Sequence, residues 1–448
     1  MSQALEDSRR EDTGKPTAWW LDGNFAPVTE QVEAFDLAVE GALPPEPSGV
    51  YMRNGPNPKS GFAAHWFLGD GMLHGVRLEK GKARWYRNRY VQTPRFREQR
   101  QAAAPADIMD RTRSAANTNI VRHAGRFLAL EEAHFPFEVT GDLATVGPVD
   151  FGGKLSTAFT AHPKFCPDTG EMLAFGYSFM PPFLTYYRFD REGRLVQSTE
   201  IPVGGPTMIH DFCTTRHYAI FMDLPIVFDM ELAMKGTMPY RWSDTYPARL
   251  GVMPREGSAD QIRWFEIAPC YVFHPMNAYD EENRIILDVA RYERLWDEGW
   301  RDSRARLHRF TLDLDSGMAR EQALDDRPIE FPRVADTRTG FKHRYGYAPV
   351  TPDEKQENLT LGAQLYKFDL QTGGVQSCDF GSGRHAGEFV RAGGDGAEDA
   401  GWLMGFVHDD GMGLSSFVVL DASDMTQVAS VALPQRVPFG FHGNWFAD

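Results

Sequence analysis

Four histidines in this chain share one kind of sequence context, although they are far apart in the sequence. They are His162, His210, His274 and His442. Each ends a short apolar or strand-prone run, and each stands beside a turn-forming or strand-breaking residue. Neutral imidazole is the commonest transition-metal ligand among side chains. A single histidine is more often an ordinary hydrogen-bonded residue, and no local motif such as His-Glu-x-x-His links these four. They form one metal site only if the fold brings distant strand ends together.

A repeated unit of strand, turn and strand suggests a fold that can do this. Six copies of it occupy residues 75–86, 137–143, 187–195, 310–317, 366–374 and 418–425. Each has Asp, Gly or Ser at the turn, and their uneven spacing predicts a β-propeller with insertions in some blades. Helical periodicity is scarce, with short candidates around 103–111 and 229–234. In a propeller the innermost strands run along one axis, so histidines on four of them would converge.

Composition narrows the class of protein. The chain has 448 residues, 42% of them hydrophobic, and a formal net charge of -15, which argues against a nucleic-acid partner. Its four cysteines, scattered and unpaired in sequence, indicate reduced thiols of a cytoplasmic protein. We find no signal peptide and no apolar run long enough to cross a membrane. Peripheral membrane contact through residues 226–234 stays open.

The domain organisation follows from the same observations. Residues 1–18 are predicted to form a polar tail, and residues 19–448 a single β-propeller catalytic domain. Nothing in the sequence fixes the oligomeric state.

The motifs together resemble those of the carotenoid cleavage oxygenase family. The resemblance rests on Arg-Asn-Gly-Pro at 53–56, on the stretch 65–72, and on the four histidine contexts in their order. The family includes apocarotenoid oxygenases, lignostilbene dioxygenases and the retinal pigment epithelium isomerase. It implies an all-β, seven-bladed propeller with a loop and short-helix dome over a non-haem Fe(II) site. The iron ligands it implies are His162, His210, His274 and His442.

The resemblance also assigns residues around the iron. It places orienting carboxylates at Glu132, Glu330 and Glu388, which would hold the far ring nitrogens of the ligands. Each glutamate could instead be a solvated surface residue, and Glu131 competes with Glu132 for the first assignment. Thr118 matches a threonine whose methyl group crowds an open iron position. Its alternative is an ordinary strand threonine.

The implied activity is cleavage of an alkene by O2 at Fe(II), giving two carbonyl products. We see no signature for NAD, flavin or haem. A stilbene or phenylpropenoid substrate, a non-oxidative isomerase, and a metal-bearing propeller without turnover are the alternatives. Stilbene-cleaving relatives carry a lysine where this chain has Glu131. Nearby apolar residues would suit a carotenoid or apocarotenoid better, namely Phe135, Phe137, Phe179, Met180, Pro181, Pro182, Phe183, Leu224, Phe228 and Phe273.

Overall fold

Almost all regular structure in the chain is β-strand, arranged as seven sheets around an axis. The computed structural model describes residues 18–99, 109–297, 302–352, 358–394 and 396–448. It confirms the predicted all-β, seven-bladed propeller. Residues 1–17 of the predicted polar tail and most of the predicted helix around 103–111 lie outside the described residues. The predicted boundary between tail and domain therefore stays a prediction.

The strands have the following bounds in chain order. They are β1 Glu33–Phe35, β2 Val39–Gly41, β3 Gly49–Pro56, β4 Gly71–Glu79, β5 Lys82–Tyr90, β6 Asn119–His123, β7 Arg126–Leu130, β8 Phe137–Val139, β9 Thr145–Pro148, β10 Lys164–Phe165, β11 Met172–Tyr177, β12 Leu184–Phe189, β13 Leu195–Glu200, β14 Cys213–Thr214, β15 Tyr218–Asp223, β16 Ile226–Phe228, β17 Tyr240–Trp242, β18 Arg249–Pro254, β19 Arg263–Glu266, β20 Tyr271–Glu281, β21 Arg284–Tyr292, β22 Arg306–Asp313, β23 Ala319–Pro328, β24 Tyr345–Pro349, β25 Gln364–Asp369, β26 Gly374–Asp379, β27 Arg384–Ala386, β28 Val390–Ala392, β29 Trp402–Asp409, β30 Leu414–Asp421, β31 Gln427–Ala432 and β32 Gly443–Ala447.

Each blade is an antiparallel sheet. In order from blade 1 to blade 7 the sheets are β1-β5-β4-β3-β32, β6-β7-β8-β9, β10-β11-β12-β13, β14-β15-β18-β19, β20-β21-β22-β23, β24-β25-β26, and β2-β31-β30-β29-β27 with β28 also on β29. Central strands such as β11 are almost wholly buried, whereas the outer strand β13 alternates between partly buried and exposed residues. This gradient is typical of sheets stacked face to face with a solvated outer edge.

The six predicted outer hairpins are all present, and a seventh was missed. The predicted copies correspond to β4–β5, β8–β9, β12–β13, β22–β23, β25–β26 and β30–β31. Tight turns at Gly81 and Gly317 need positive φ angles of 69° and 74°, which glycine adopts without strain. The seventh hairpin, β18–β19, has a longer connection with a 3-10 turn at Ala259–Gln261, so it lacks the short turn signal.

The C-terminus closes the ring. Strand β32 pairs antiparallel with β3, so the last residues complete the sheet of blade 1. Next to this pair, the backbone carbonyl of His442 accepts from Asn54 N at 2.9 Å, and His442 N donates to the Thr118 carbonyl at 3.1 Å. At the other end of the chain, β2 joins blade 7 through β31. This double closure explains why a histidine near the C-terminus is rigidly placed.

Loops and short helices make up the remaining structure. In the described ranges the helices are α1 Pro94–Glu98 and α2 Met230–Met234, with 3-10 turns at Trp19–Leu21, Gly23–Phe25, Trp66–Leu68, Ala259–Gln261 and Asp336–Arg338. Helix α2 confirms the prediction at 229–234, and the Asp229 side chain caps it by accepting from Glu231 N and Leu232 N. It lies between β16 and β17, an inserted hairpin of blade 4. All four cysteines are free thiols. Among the described residues, no helix has the length and apolar character needed to span a bilayer.

Candidate metal centre

The four histidines meet on the propeller axis. His162 and His210 lie just before β10 and β14, His274 lies in β20, and His442 lies just before β32. All four are buried, and one ring nitrogen from each lies within 4.8 Å of the others. Neighbouring ring centroids are 4.4 to 5.0 Å apart around the cluster. The fold thus brings together the four residues that the sequence analysis singled out.

The donor atoms of this cluster suit a metal ion. Nε2 of His162 and Nε2 of His442 have no hydrogen-bond partner among the described residues, although both are buried. Nε2 of His210 and Nε2 of His274 converge to 3.1 Å. Burial lowers the pKa of His162 well below its usual value, with a further lowering from the neighbouring histidines. Neutral imidazoles with inward-facing nitrogens are the donor set of Fe, Zn, Cu and Ni sites.

Three glutamates hold the outer ring nitrogens. His274 Nδ1 donates to Glu330 Oε2 at 2.5 Å, and His442 Nδ1 to Glu388 Oε1 at 3.0 Å. His210 Nδ1 contacts Glu132 Oε1. With Nδ1 directed to a carboxylate, Nε2 of each ring is left to face the centre, and the carboxylate makes the imidazole a stronger donor. The structure places all three predicted glutamates beside a different histidine.

Glu330 is the most enclosed of the three carboxylates. It has no exposed surface and also accepts from Tyr292 Oη at 2.9 Å and from the backbone N of Phe331 at 2.7 Å. Burial alone would raise the pKa of Glu330, but His274 and these donors lower it below its usual value. The carboxylate is therefore held ionised and fixed in orientation.

Glu388 and Glu132 are held by other partners. Glu388 accepts from Gly443 N at 2.8 Å and from Arg333 at 3.3 Å. Burial opposes its ionisation, yet Arg333 and His442 lower the pKa of Glu388 to about 2. Glu132 accepts from Tyr177 Oη at 2.5 Å. Burial and the Glu132 carboxylate raise the pKa of Tyr177 well above its usual value, which keeps its hydroxyl a donor.

Glu131 points to a different partner from its neighbour Glu132. Its carboxylate contacts His134 Nδ1 and not one of the four clustered histidines. Burial would raise the pKa of Glu131, but His134 lowers it below the usual value. The two adjacent glutamates therefore have different histidine partners in the structure.

His162 is the one histidine of the cluster whose Nδ1 does not contact a glutamate among the described residues. Its Nδ1 lies 3.7 Å from Asp211 Oδ2, too far for a direct hydrogen bond. Asp211 is buried and pairs with Lys164 at 2.7 Å. The sequence analysis missed Asp211, although it directly follows His210 and could have been noted for that reason.

Thr118 contacts the histidine cluster with its backbone, by a hydrogen bond to His442. Its carbonyl accepts from His442 N, and its hydroxyl donates to Asn117 Oδ1 at 2.9 Å. The side chain is half-buried. The predicted crowding by its methyl group stays a prediction.

Aromatic side chains cover one side of the histidine cluster. Phe273 meets the His210 ring edge-on with centroids 5.0 Å apart, and Phe331 stacks on His274 at 4.9 Å. Phe67 contacts Phe273, Trp296 and Phe441 with centroids 5.6 to 6.5 Å apart. Phe67, Phe273, Trp296 and Phe441 form this aromatic cover, which packs against His210 on that side of the centre.

The predicted apolar lining divides into three groups. Phe273 belongs to the aromatic cover, and Leu224 is buried in the same core cluster. Phe135 and Phe137 pack in the cores beside blade 2, so they are ordinary core residues. Phe179 stacks on Phe228 at 4.8 Å, and Met180 is 41% exposed, so this part lies near the surface.

Comparison with known proteins agrees with this geometry. A sequence model of the family described as retinal pigment epithelial membrane protein matches residues 25–447. A carotenoid cleavage oxygenase of Mycobacterium tuberculosis is 39% identical, over 95% of this chain and 97% of that protein. The crystal structure of a Pseudomonas brassicacearum lignostilbene dioxygenase superposes with a TM-score of 0.88 at 28% identity, covering 97% of this chain and 99% of the other. Cobalt-substituted Synechocystis apocarotenoid oxygenase gives 0.83 at 26% identity, covering 94% and 97%.

Fold and site define a seven-bladed propeller with a four-histidine centre on its axis, able to hold a metal ion. The chain belongs to the retinal pigment epithelial membrane protein family, which is the family of carotenoid cleavage oxygenases. The resemblance found in the sequence is thereby confirmed.

Proposed function

We propose that this protein is a non-haem Fe(II) dioxygenase that cleaves a carbon-carbon double bond of a carotenoid or apocarotenoid. The observation that carries the proposal is the buried cluster of four imidazoles, with no carboxylate among the converging donors. Four neutral ligands would leave iron with its positive charge and with open positions, and the bound iron would supply the activation of O2. The family to which the chain belongs supports an oxygenase.

The protein's own residues would bind, orient and exclude water. His162, His210, His274 and His442 would bind the ion. Glu132, Glu330 and Glu388 would hold three of these rings in one tautomer, and Thr118 would narrow the space beside the ion. The aromatic cover would keep water away and present an apolar face to the alkene.

A carotenoid is favoured over a stilbene, although two similarities point in different directions. The backbone superposes better on the lignostilbene dioxygenase than on the apocarotenoid oxygenase, with TM-scores of 0.88 and 0.83. Sequence identity, in contrast, is 39% with the Mycobacterium tuberculosis carotenoid cleavage oxygenase and 28% with the lignostilbene dioxygenase. Identity is the better guide here, because side chains and not backbone shape decide what a pocket accepts. The half-buried, ionised Glu131 would also repel a phenolate, since like charges at short range disfavour ionisation.

Product analysis under 18O2 tests the function. Iron-loaded protein is incubated with a panel of carotenoids, apocarotenals and stilbenes, and the products are identified by mass spectrometry. We expect two carbonyl fragments from a carotenoid or apocarotenal, with label from O2. Cleavage of resveratrol or isoeugenol alone would establish the stilbene alternative. An isomer without label would establish the isomerase, and no product would leave a metal-bearing propeller without turnover.

Peripheral membrane contact would deliver such an apolar substrate. The inserted hairpin of blade 4 exposes Met230 by 57% and Met234 by 83%, and Met180 lies on a neighbouring loop. Exposed apolar side chains of this kind insert into the boundary of a lipid bilayer. Sedimentation with lipid vesicles should fall in a Met230→Gln, Met234→Gln double variant. Unchanged sedimentation would remove this surface from the proposal.

A further inference from the structure

A cavity of about 310 Å³ extends from the metal centre along the propeller axis. Its wall includes His162, His274 and His442, together with residues that follow these histidines in β10, β20 and β32. The exposed residues Arg122 and Asp336 also line it. Phe67, Phe273 and Trp296 do not line this cavity, whereas exposed residues do, so the cavity connects the centre with solvent by a way that avoids these three aromatic residues.

Charged side chains stand among apolar ones such as Phe165 and Met276 in the lining of the axial cavity, whereas the aromatic cover is apolar. Lys164 and Arg333 line the cavity and are paired with carboxylates. Lys164 binds Asp211 at 2.7 Å, and Arg333 lies 3.3 Å from both Glu388 and Asp336. Arg333 also donates to Asn444 at 2.8 Å. An apolar polyene in this cavity would bury these polar groups without replacing their hydration, which is costly. Water and a hydrated cation would keep that hydration.

The two sides of the centre are thus suited to different molecules. We infer that the axial cavity is the route by which a divalent metal ion and water reach and leave the four histidines, while the organic substrate takes the aromatic side. This inference rests on the proposed metal centre. Positive charge along the route would slow a cation, and the pairing of Lys164 and Arg333 with carboxylates reduces that barrier.

Charge changes at the mouth of the cavity separate this route from others. Asp336 is 69% exposed at its side chain and belongs to the 3-10 turn Asp336–Arg338, so Asp336→Lys adds positive charge with little risk to folding. Arg122→Glu makes the opposite change at the same mouth. Asp315→Lys is the matched control, because Asp315 lies in the outer turn between β22 and β23. Thr339→Trp narrows the mouth without changing charge.

The measured quantity is the rate at which Co(II) enters the metal-free protein, followed by the visible absorption of the bound ion. At low ionic strength we expect Asp336→Lys to slow uptake by about 3- to 10-fold and Arg122→Glu to accelerate it, while Asp315→Lys stays as wild type. These differences should shrink in about 0.5 M salt, where charges are screened over a few ångströms. Thr339→Trp should slow both uptake and removal by a chelator. The final cobalt content should be the same in all variants.

Two results would overturn the route, and a third concerns the centre itself. Equal uptake rates in Asp336→Lys and Asp315→Lys would refute the charge argument. Unchanged exchange in Thr339→Trp would refute passage through this mouth. If wild-type protein binds no cobalt at all, the proposed metal centre fails, and the route fails with it.

Discussion

Glu132 and Glu131 are adjacent in sequence but serve different partners, which makes them a matched pair for mutation. Glu132 accepts from Tyr177 and lies in close contact with His210 Nδ1, whereas Glu131 contacts His134. In Glu132→Gln the amide offers one oxygen acceptor, so only one of the two donors keeps a partner. If the oxygen stays with Tyr177, His210 loses its orienting bond. If it turns to His210, a neutral bond replaces a charge-assisted one.

The expected size of this effect follows from those bonds. A hydrogen bond to a charged group contributes about 1.5–3 kcal/mol and a neutral one about 0.5–1.5 kcal/mol. The loss at His210 should therefore be about 1–3 kcal/mol, which agrees with the roughly 10–100-fold losses of metal affinity seen for such orienting residues. Glu131→Gln should leave metal affinity unchanged, because its partner His134 is not in the cluster.

Competition with a chelator of known affinity measures this difference directly. Both variants are loaded with Co(II), and the fraction of bound metal is followed as the chelator is added. The reasoning would be refuted if Glu132→Gln bound cobalt as tightly as wild type, or if both variants lost affinity equally. Thermal unfolding of the metal-free proteins checks that neither substitution disrupts the fold.

Three further predictions follow, two on residues beside the centre and one on a buried ion pair in blade 5. Glu330→Gln should weaken cobalt binding by about 10–100-fold. Tyr292→Phe removes only one donor to Glu330, so it should weaken cobalt binding less. Chelator competition measures both affinities, and the reverse order would contradict the assignment of Glu330. Thr118→Val keeps the methyl group of the threonine side chain, whereas Thr118→Ser removes it. If this methyl group limits access to the bound metal ion, the affinity of the Co(II) protein for azide should change in the serine variant alone. Asp288 is fully buried and paired with Arg309, and Asp288→Asn should lower the free energy of unfolding by about 3–5 kcal/mol at pH 7. Burial would raise the pKa of Asp288, but His343 and Arg309 lower it below its usual value. The wild-type protein should therefore lose its extra stability over Asp288→Asn as the pH falls below about 4. Urea denaturation that gave the same difference in unfolding free energy at every pH would contradict this prediction.

The histidines were predictable from sequence because each carries a local signal. His162, His210 and His442 stand just before inner strands as predicted, whereas His274 does not end its run but lies inside β20, where the pairing with β21 is irregular around Pro275. The hairpins were predictable for a similar reason, since short turns with Asp or Gly mark them. The seventh hairpin, β18–β19, was not found because its connection contains its own 3-10 turn.

The pairing of carboxylates with histidines could not be predicted from sequence. Glu132 follows β7 in blade 2 but faces His210 at the start of blade 4. Glu388 comes from blade 7 and faces His442 at the edge of blade 1. These contacts cross the axis or a blade boundary, so only the closed ring determines them. Asp211 follows His210 in the sequence, which could have drawn attention to it, but its partners Lys164 and His162 belong to blade 3 and are known only from the fold.

Residue type alone also could not show which aromatic residues lie beside the histidine cluster and which lie in a blade core. Phe137 begins β8 and Phe273 lies in β20, and both are buried, yet Phe137 packs within a blade core and Phe273 covers His210. An aromatic residue satisfies the same sequence pattern in either place. The difference depends on which side of the strand faces the axis.

The central claim is that four histidines hold one catalytic metal ion, and metal content tests it most directly. The number of iron ions per chain is measured by elemental mass spectrometry in the wild type and in four single variants, His162→Ala, His210→Ala, His274→Ala and His442→Ala. His74→Ala serves as control, since the His74 ring contacts Tyr86 and lies outside the cluster. We predict one iron per chain in wild type and in the control, and a marked loss of iron and of cleavage activity in each of the other four. Full iron content and activity in any one of those four variants would contradict the account.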